Sequence, residues 1–146
     1  MAKKRASWKE KLVKPDRVEL KNTPKGRMLI PTPLEVAKAM RRARKGRVTT
    51  TEQIRQYLAE KHGADYTCPL TTGIFAKIVA FAAEEDRAAG KKRLVPWWRT
   101  VKPDGSLMDK FPGAPHLQKQ LLEPEGHEIV PVGKKGTLRL NSFRKR

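Results

Sequence analysis

The chain has 146 residues, of which 33 are Lys or Arg and 15 are Asp or Glu, so its formal net charge is +18. This length allows one domain with a modest core and excludes a large multidomain enzyme, and the basic excess indicates a polyanionic partner. No apolar run approaches the roughly 20 residues of a membrane span, and the N-terminus lacks the apolar stretch of a secretory signal. We therefore expect a soluble protein with no membrane partner, located in the cytoplasm or, in a bacterium, on the nucleoid.

Candidate metal ligands and nucleophiles are scarce. Cys68 is the only cysteine, so neither an internal disulfide nor a cysteine-rich zinc site holds the fold. The histidines, His62, His116 and His127, do not share the spacing of paired metal ligands on one helix. We expect no metal and no other cofactor.

The positive charge is concentrated at the two ends. Met1–Met28 contains ten basic and three acidic residues, and Val130–Arg146 contains six basic residues and no acid. These segments are predicted to be a basic N-terminal arm and a basic C-terminal hairpin and tail, flanking a folded domain at Leu29–Ile129. Arms of this kind gain order on a phosphate backbone. The alternative is that they are only solubilising tails, but a tail kept for solubility alone would more often be acidic.

The first predicted helix begins at Thr32, with Pro33 at its first position and Glu35 closing a capping box, and it ends at Gly46. Its buried stripe is expected to consist of Leu34, Val36, Ala37, Met40 and Ala43. Six basic residues and no acid lie between Lys38 and Arg47. Those on the solvated side of the helix and just beyond it are candidates for phosphate contact or for an ordinary solvated face, namely Arg41, Arg42, Arg44, Lys45 and Arg47.

Two more helices follow and together resemble a helix-turn-helix. One begins at Thr49–Gln53 and ends near Gly63, and the next runs from about Thr71 towards Gly90. The apolar face expected for this third helix comprises Ile74, Phe75, Ile78, Val79, Phe81 and Ala82.

The segment Leu94–Val101 is predicted to be extended and contains the adjacent pair Trp97 and Trp98. Because successive side chains of an extended chain point to opposite sides, one indole should line a surface or pocket, where a nucleobase could stack. The alternative is that both indoles close a small core. A turn at Lys102–Gly105, a short helix at Pro115–Leu122 and a hairpin of Glu128–Val132 with Thr137–Leu140 complete the predicted elements.

Four sequence blocks, in order, resemble the DNA-binding domain of methylated-DNA-protein-cysteine methyltransferases. They are Gly46–Ile54 (GRVTTTEQI), Pro96–Leu107 (PWWRTVKPDGSL), Phe111–Gly113 (FPG) and Leu121–His127 (LLEPEGH). The resemblance covers about Pro33 to Ile129. It implies a mainly α, winged-helix-like domain with a helix-turn-helix, short β segments and basic terminal arms.

In that family a cysteine takes the alkyl group from a flipped guanine, activated through a water and a histidine by a glutamate. These three positions fall on Trp97, Trp98 and Glu125. Since an indole is not a thiolate nucleophile, the chain is more similar to the non-catalytic alkyltransferase-like proteins, which bind alkylated guanine and pass it to excision repair. The resemblance implies a monomer that partners double-stranded, including alkylated, DNA and an excision-repair protein. It places the lesion pocket at Trp97, Trp98, Phe111, Pro112 and Glu125.

The family's two base-flipping side chains are replaced, because its tyrosine falls on Thr51 and its intercalating arginine on Thr72. Arg99 matches the signature arginine. The residues expected to contact DNA are Thr51, Thr71, Thr72, Lys77, Arg99, Arg41, Arg42, Arg44, Lys45 and Arg47.

Two other functions remain open. One is a general nucleic-acid-binding or regulatory helix-turn-helix protein in which Trp98 fills the former pocket. The other is an enzyme that transfers an alkyl group to Cys68, although no basic residue lies near this cysteine in the sequence and packing is its simpler role.

Overall fold

Three helices form the centre of the fold, which a computed structural model describes for residues 7–13 and 15–141. Helix α2 spans Pro33–Met40, α3 spans Thr51–His62 and α4 spans Pro69–Ala88. Around them lie α1 at Trp8–Lys11 and α5 at His116–Leu122. In the described part of the chain, no helix is long and apolar enough to cross a membrane.

Local capping determines where α2 and α3 begin, and both helices start where they are predicted, but the Glu35 carboxylate pairs with Lys61 Nζ at 2.8 Å rather than closing the predicted capping box. The Thr32 hydroxyl accepts from the backbone N–H of Glu35 at 3.1 Å, with Pro33 in the first turn. Thr50 and Gln53 form a reciprocal capping box at the start of α3, and Gly63 ends that helix with a φ of +66°.

Helix α2 is shorter than predicted, and its buried face departs from the prediction at Leu34, whereas Val36, Ala37, Met40 and the following Ala43 are buried as predicted. It ends at Met40 rather than Gly46, because the next backbone bonds run only three residues back, from Arg42 N–H to the Ala39 carbonyl and from Ala43 N–H to the Met40 carbonyl. Leu34 is 46% exposed, contrary to prediction. At 100° per residue it lies about 120° around the helix from Met40, which is fully buried.

Helix α4 packs partly through the predicted apolar face, since Val79 and Ala82 are buried, and partly through small side chains that were not predicted to be buried. Ala76, Val79, Ala80 and Ala83 are almost completely buried, whereas Ile74 is 50% exposed. The helix begins two residues before the predicted start, at Pro69, whose lack of an N–H costs nothing in the first turn.

The strands are short and belong to three small sheets. Strands β1 (Glu19–Thr23) and β2 (Gly26–Ile30) form an antiparallel hairpin, and β2 also pairs in parallel with β4 (Tyr66–Thr67). Strands β3 (Thr49–Thr50) and β5 (Thr100–Val101) pair in parallel. The predicted C-terminal hairpin is present, with β6 (Ile129–Val132) antiparallel to β7 (Thr137–Leu140).

The described part of Met1–Met28 packs on the domain rather than forming a free arm. Trp8 stacks on Phe81 of α4, with ring centroids 4.6 Å apart, and Lys9 forms an ion pair with Asp86 at 2.9 Å. The hairpin of β1 and β2 occupies most of the remaining segment. The terminal runs 1–6 and 142–146, which hold much of the predicted arm and tail, lie outside the described residues.

The tryptophan segment is helical, which corrects the prediction of an extended chain. Trp97–Arg99 forms a turn of 3-10 helix that leads into β5, and Glu123–Glu125 forms another after α5. Buried Gln118 of α5 holds the first turn, because its side-chain amide donates to the carbonyls of Trp98 at 3.0 Å and Thr100 at 2.7 Å.

Candidate nucleic-acid interface

Trp97, the residue aligned with the alkyl-acceptor cysteine, is completely buried. Its exposed fraction is 0%, and its indole N–H donates to the Glu84 carboxylate of α4 at 3.0 Å. The ring meets Phe111 edge-on at 5.8 Å between centroids. The expectation that Trp97 lines an open pocket is therefore not met in this conformation, because a 3-10 turn directs it into the main core.

Trp98 is the partly exposed member of the pair and contacts both apolar clusters of the domain. Its indole N–H donates to the Glu125 carboxylate at 3.1 Å. The guanidinium groups of Arg87 and Arg99 lie 5.7 and 5.6 Å from its ring centroid, within cation–π range. The prediction that one indole reaches the surface is correct for Trp98.

Arg99 is committed to the protein interior rather than to phosphate contact. It donates to Glu125 through Nε at 3.0 Å and Nη2 at 2.8 Å, and through Nη1 to the Ala43 carbonyl at 2.9 Å. The side chains of Arg99 and Glu125 are only 15% and 8% exposed. Burial alone would raise the pKa of Glu125, but hydrogen bonds from Arg99 and Trp98 outweigh it and lower that pKa below its ordinary value.

The predicted lesion-pocket residues come together, but mostly as packed core. Phe111 is 3% exposed and Pro112 is buried beside it. Glu125 contacts Trp98 and Arg99. Of the five residues, Trp97, Phe111 and Pro112 are buried, whereas Trp98 and Glu125 are partly buried.

The predicted contacts of the helix-turn-helix have mixed positions. Thr72 is 1% exposed and its hydroxyl donates to the Cys68 carbonyl at 2.8 Å, so it does not face a ligand and this prediction is wrong for the free chain. Thr71 donates to the Cys68 sulfur at 3.1 Å. Thr51 and Lys77 are half-buried and retain some exposed surface.

The basic run after α2 is divided between two surfaces. Arg42, Arg44 and Arg47 line a cavity of about 260 Å³ beside α3, where the Arg42 guanidinium lies 3.9 Å from the Tyr57 ring centroid. Arg41 lines a different cavity of about 170 Å³, between α2 and the C-terminal half of α4. Arg41 and the three cavity-lining arginines beside α3 are exposed, as is Lys45.

Cys68 lies at the N-cap of α4. Burial opposes ionisation, but hydrogen bonding from Thr71 and the backbone N–H groups of Thr71 and Leu70 lowers the pKa of the thiol below its ordinary value. Sequence inspection did not identify this environment, since its stabilising groups are hydroxyl and amide donors rather than bases. Among the described residues, no group of three His, Cys, Asp or Glu side chains could hold a metal ion.

Sequence reasoning also missed the surface at the start of α4. Leu70 is 74% exposed and Ile74 is 50% exposed, on the helix that a helix-turn-helix would present to DNA. An apolar residue in a helical pattern is normally assigned to the core, so the sequence offered no signal of this exposure.

No protein-family model and no curated protein matches the chain. Two crystal structures are similar to it, both with 24% sequence identity and with matches covering 75% of this chain and 87% of theirs. S. pombe Atl1 in complex with damaged DNA containing O6-carboxymethylguanine superposes with a TM-score of 0.51, and S. pombe ATL in complex with DNA with 0.52.

The chain therefore has a fold that is also found in proteins crystallised in complex with DNA. More particularly, it is the fold of the S. pombe alkyltransferase-like protein, which confirms the fold relationship implied by the four sequence blocks.

Proposed function

We propose that this chain is a non-enzymatic protein that binds duplex DNA, senses alkylated guanine and directs it to repair. One observation carries the proposal: the chain shares the fold of S. pombe Atl1, which was crystallised with DNA containing O6-carboxymethylguanine, and it has two hydrogen-bonded indoles at the positions that resemble the reaction centre of the enzymes. In this proposal the domain is a winged helix, with α3 and α4 as the helix-turn-helix and the β6–β7 hairpin as the wing.

The arrangement of the indoles supports binding without alkyl transfer. Trp97 and Trp98 replace the cysteine and histidine of the enzymes, and neither indole forms the thiolate that this transfer needs. Glu125, which would orient the histidine, accepts from Trp98 and Arg99 instead. In place of the catalytic cysteine and histidine there are thus two indoles held by hydrogen bonds, next to the ion pair of Arg99 and Glu125.

Trp98 is the better candidate for first contact with a displaced base. It is partly exposed, so a displaced base could stack on its accessible surface. The guanidinium groups of Arg87 and Arg99 beside the ring are paired with Glu84 and Glu125, so phosphate contacts would come from other cations. Arg42, Arg44 and Arg47 would contribute affinity that does not depend on sequence.

The test is a competition between a duplex containing O6-methylguanine and the matched plain duplex, at physiological salt, measured by fluorescence anisotropy. We expect the modified duplex to compete better, and Trp98→Ala to remove that preference while retaining affinity for plain DNA. Trp8→Ala, at the partly buried indole that stacks on Phe81 of α4, controls for the loss of an indole outside the predicted lesion pocket. Equal competition by the two duplexes would contradict lesion sensing, and absence of any binding would contradict the whole proposal.

A general DNA-binding function is the second candidate, and the complete burial of Trp97 favours it. It predicts equal affinity for the two duplexes. Alkyl transfer to Cys68, the third, predicts a mass increase of one methyl group on that residue after incubation with the modified duplex. A monomeric state and an excision-repair partner remain parts of the proposal, to be examined by sedimentation and by pull-down with repair proteins.

A further inference from the structure

The first two turns of α4 carry an unusual pair of exposed apolar side chains. Leu70 and Ile74, four residues apart, lie on one face of the helix and are 74% and 50% exposed. The opposite face is buried through Thr72, Ala76 and Val79. The two side chains therefore project from a helix that is firmly anchored behind them.

Gly73 lies beside these two residues and has no side chain, so the helix backbone is uncovered next to Leu70 and Ile74. A Cβ built at this position would meet no atom within 4 Å, so the space above the backbone is open. A partner could approach the helix backbone here while Leu70 and Ile74 extend into it on either side. Two protruding apolar side chains beside an uncovered backbone would fit a narrow groove that is lined by apolar groups at its base.

The surroundings are basic, which argues for nucleic acid rather than an apolar protein surface. Helix α4 contains no acidic residue before Glu84, and Lys77 follows one turn after Ile74 on the same face. The adjoining β1–β2 hairpin exposes Lys21, Lys25 and Arg27.

The hairpin is joined directly to the start of the helix. Strand β2 pairs with β4, and the Cys68 N–H donates to the Leu29 carbonyl at 2.8 Å. Of the nearby acids, Asp65 accepts from the Arg27 backbone N–H at 2.7 Å and Glu19 lies 4.0 Å from Lys21. The exposed cations thus border the apolar pair on a continuous surface.

Thr72, which the resemblance aligns with the family's intercalating arginine, cannot intercalate in this structure. Thr72 is short and buried, and its hydroxyl is bonded within the helix to the Cys68 carbonyl. Its neighbours at positions 70 and 74 are the side chains that point outward from this turn.

We propose that Leu70 and Ile74 form an apolar wedge that enters the minor groove and partly unstacks a base step. Leucine and isoleucine perform this task in proteins that kink DNA, where unstacking is repaid by the closer approach of the protein surface. The inference rests on the proposed DNA-binding function and adds the means by which the duplex is opened.

The experiment uses the full chain and a duplex with 2-aminopurine at its central step, whose fluorescence rises when the base is unstacked. We expect the wild type to raise the fluorescence, and Leu70→Ala with Ile74→Ala to abolish most of the rise and weaken binding by roughly tenfold. Leu34→Ala is the matched control, since Leu34 is 46% exposed on a different helix. Far-UV circular dichroism checks that each variant is folded.

Three outcomes would overturn the wedge. A wild type that binds the duplex without a fluorescence rise, or a double variant that keeps the full rise, would show that these side chains do not unstack bases. A wild type that sediments as a dimer, with dimerisation lost in the double variant, would assign the patch to a contact between two copies. If the wild type binds no duplex in the anisotropy measurement, the proposed DNA-binding function itself is contradicted, and this result is distinct from failure of the wedge alone.

Discussion

Removal of the Glu125 carboxylate tests the interior network behind the tryptophan pair. In Glu125→Ala, Arg99 loses bonds of 2.8 and 3.0 Å and Trp98 loses one of 3.1 Å. Because the Arg99 side chain is only 15% exposed, water can replace these acceptors only in part. The guanidinium is left as a largely buried charge without its counter-ion.

Breaking a buried ion pair from one side costs about 3–5 kcal/mol. Arg99 keeps its bond to the Ala43 carbonyl at 2.9 Å, so we place the loss at the lower end, about 3 kcal/mol in the free energy of unfolding. Glu125→Gln keeps an acceptor of similar shape and should cost less, about 1–2 kcal/mol.

Urea unfolding followed by tryptophan fluorescence measures this loss directly. With a slope of about 2 kcal/mol per molar urea, Glu125→Ala should lower the midpoint by about 1.5 M. Glu123→Ala, at an exposed glutamate in the same 3-10 turn, should stay within about 0.5 kcal/mol of the wild type. If Glu125→Ala were no more destabilising than Glu123→Ala, the network would not hold this part of the fold together.

Three further predictions concern pH, a buried amide and salt. The pKa of Glu125 is lower in the folded than in the unfolded chain, so its ionised carboxylate stabilises the fold above the unfolded pKa of about 4.3, and this stabilisation is lost as the pH falls through the folded pKa. The free energy of unfolding should therefore decline below about pH 5, and the decline should be smaller in Glu125→Gln, which cannot be protonated in this way. Gln118→Leu removes the side-chain partner of three backbone groups, the buried Thr100 carbonyl and the partly buried Trp98 carbonyl and Met108 N–H, and should cost about 2–4 kcal/mol in urea unfolding. Gln120→Leu, at an exposed position of the same helix, should cost almost nothing. Affinity for plain duplex should fall about a thousandfold between 50 and 200 mM salt if six or more phosphates are contacted, and a constant affinity in anisotropy titrations would refute the electrostatic grip.

The elements predicted most accurately are those defined by short-range chemistry. The cap at Thr32, the start signal within Thr49–Gln53 and the ending near Gly63 depend on bonds between residues three or four positions apart, and all three are confirmed, although Glu35 pairs with Lys61 instead of closing the predicted capping box. The end of α2 was predicted less well. No strong stop signal precedes Gly46, and the earlier ending reflects the way the following turn buries Ala43.

The candidate site was predicted in composition but not in arrangement. The sequence identified Trp97, Trp98, Arg99 and Glu125 through their resemblance to a reaction centre. It did not indicate which indole is buried, because that depends on a 3-10 turn held by Gln118, some 20 residues away in the chain. It also assigned Arg99 to DNA, since its acceptor at Glu125 becomes a neighbour only after folding.

The sequence by itself determined the basic character of the chain, the starts of its principal helices and the C-terminal hairpin. These features follow from composition and from contacts within one turn. The tertiary structure alone decided that Trp97 is core and Trp98 is surface, that Thr72 faces inward, and that Leu70 and Ile74 face outward. Whether a side chain is buried depends on which elements, often distant in sequence, pack against it in the folded chain. A local sequence pattern does not contain that information.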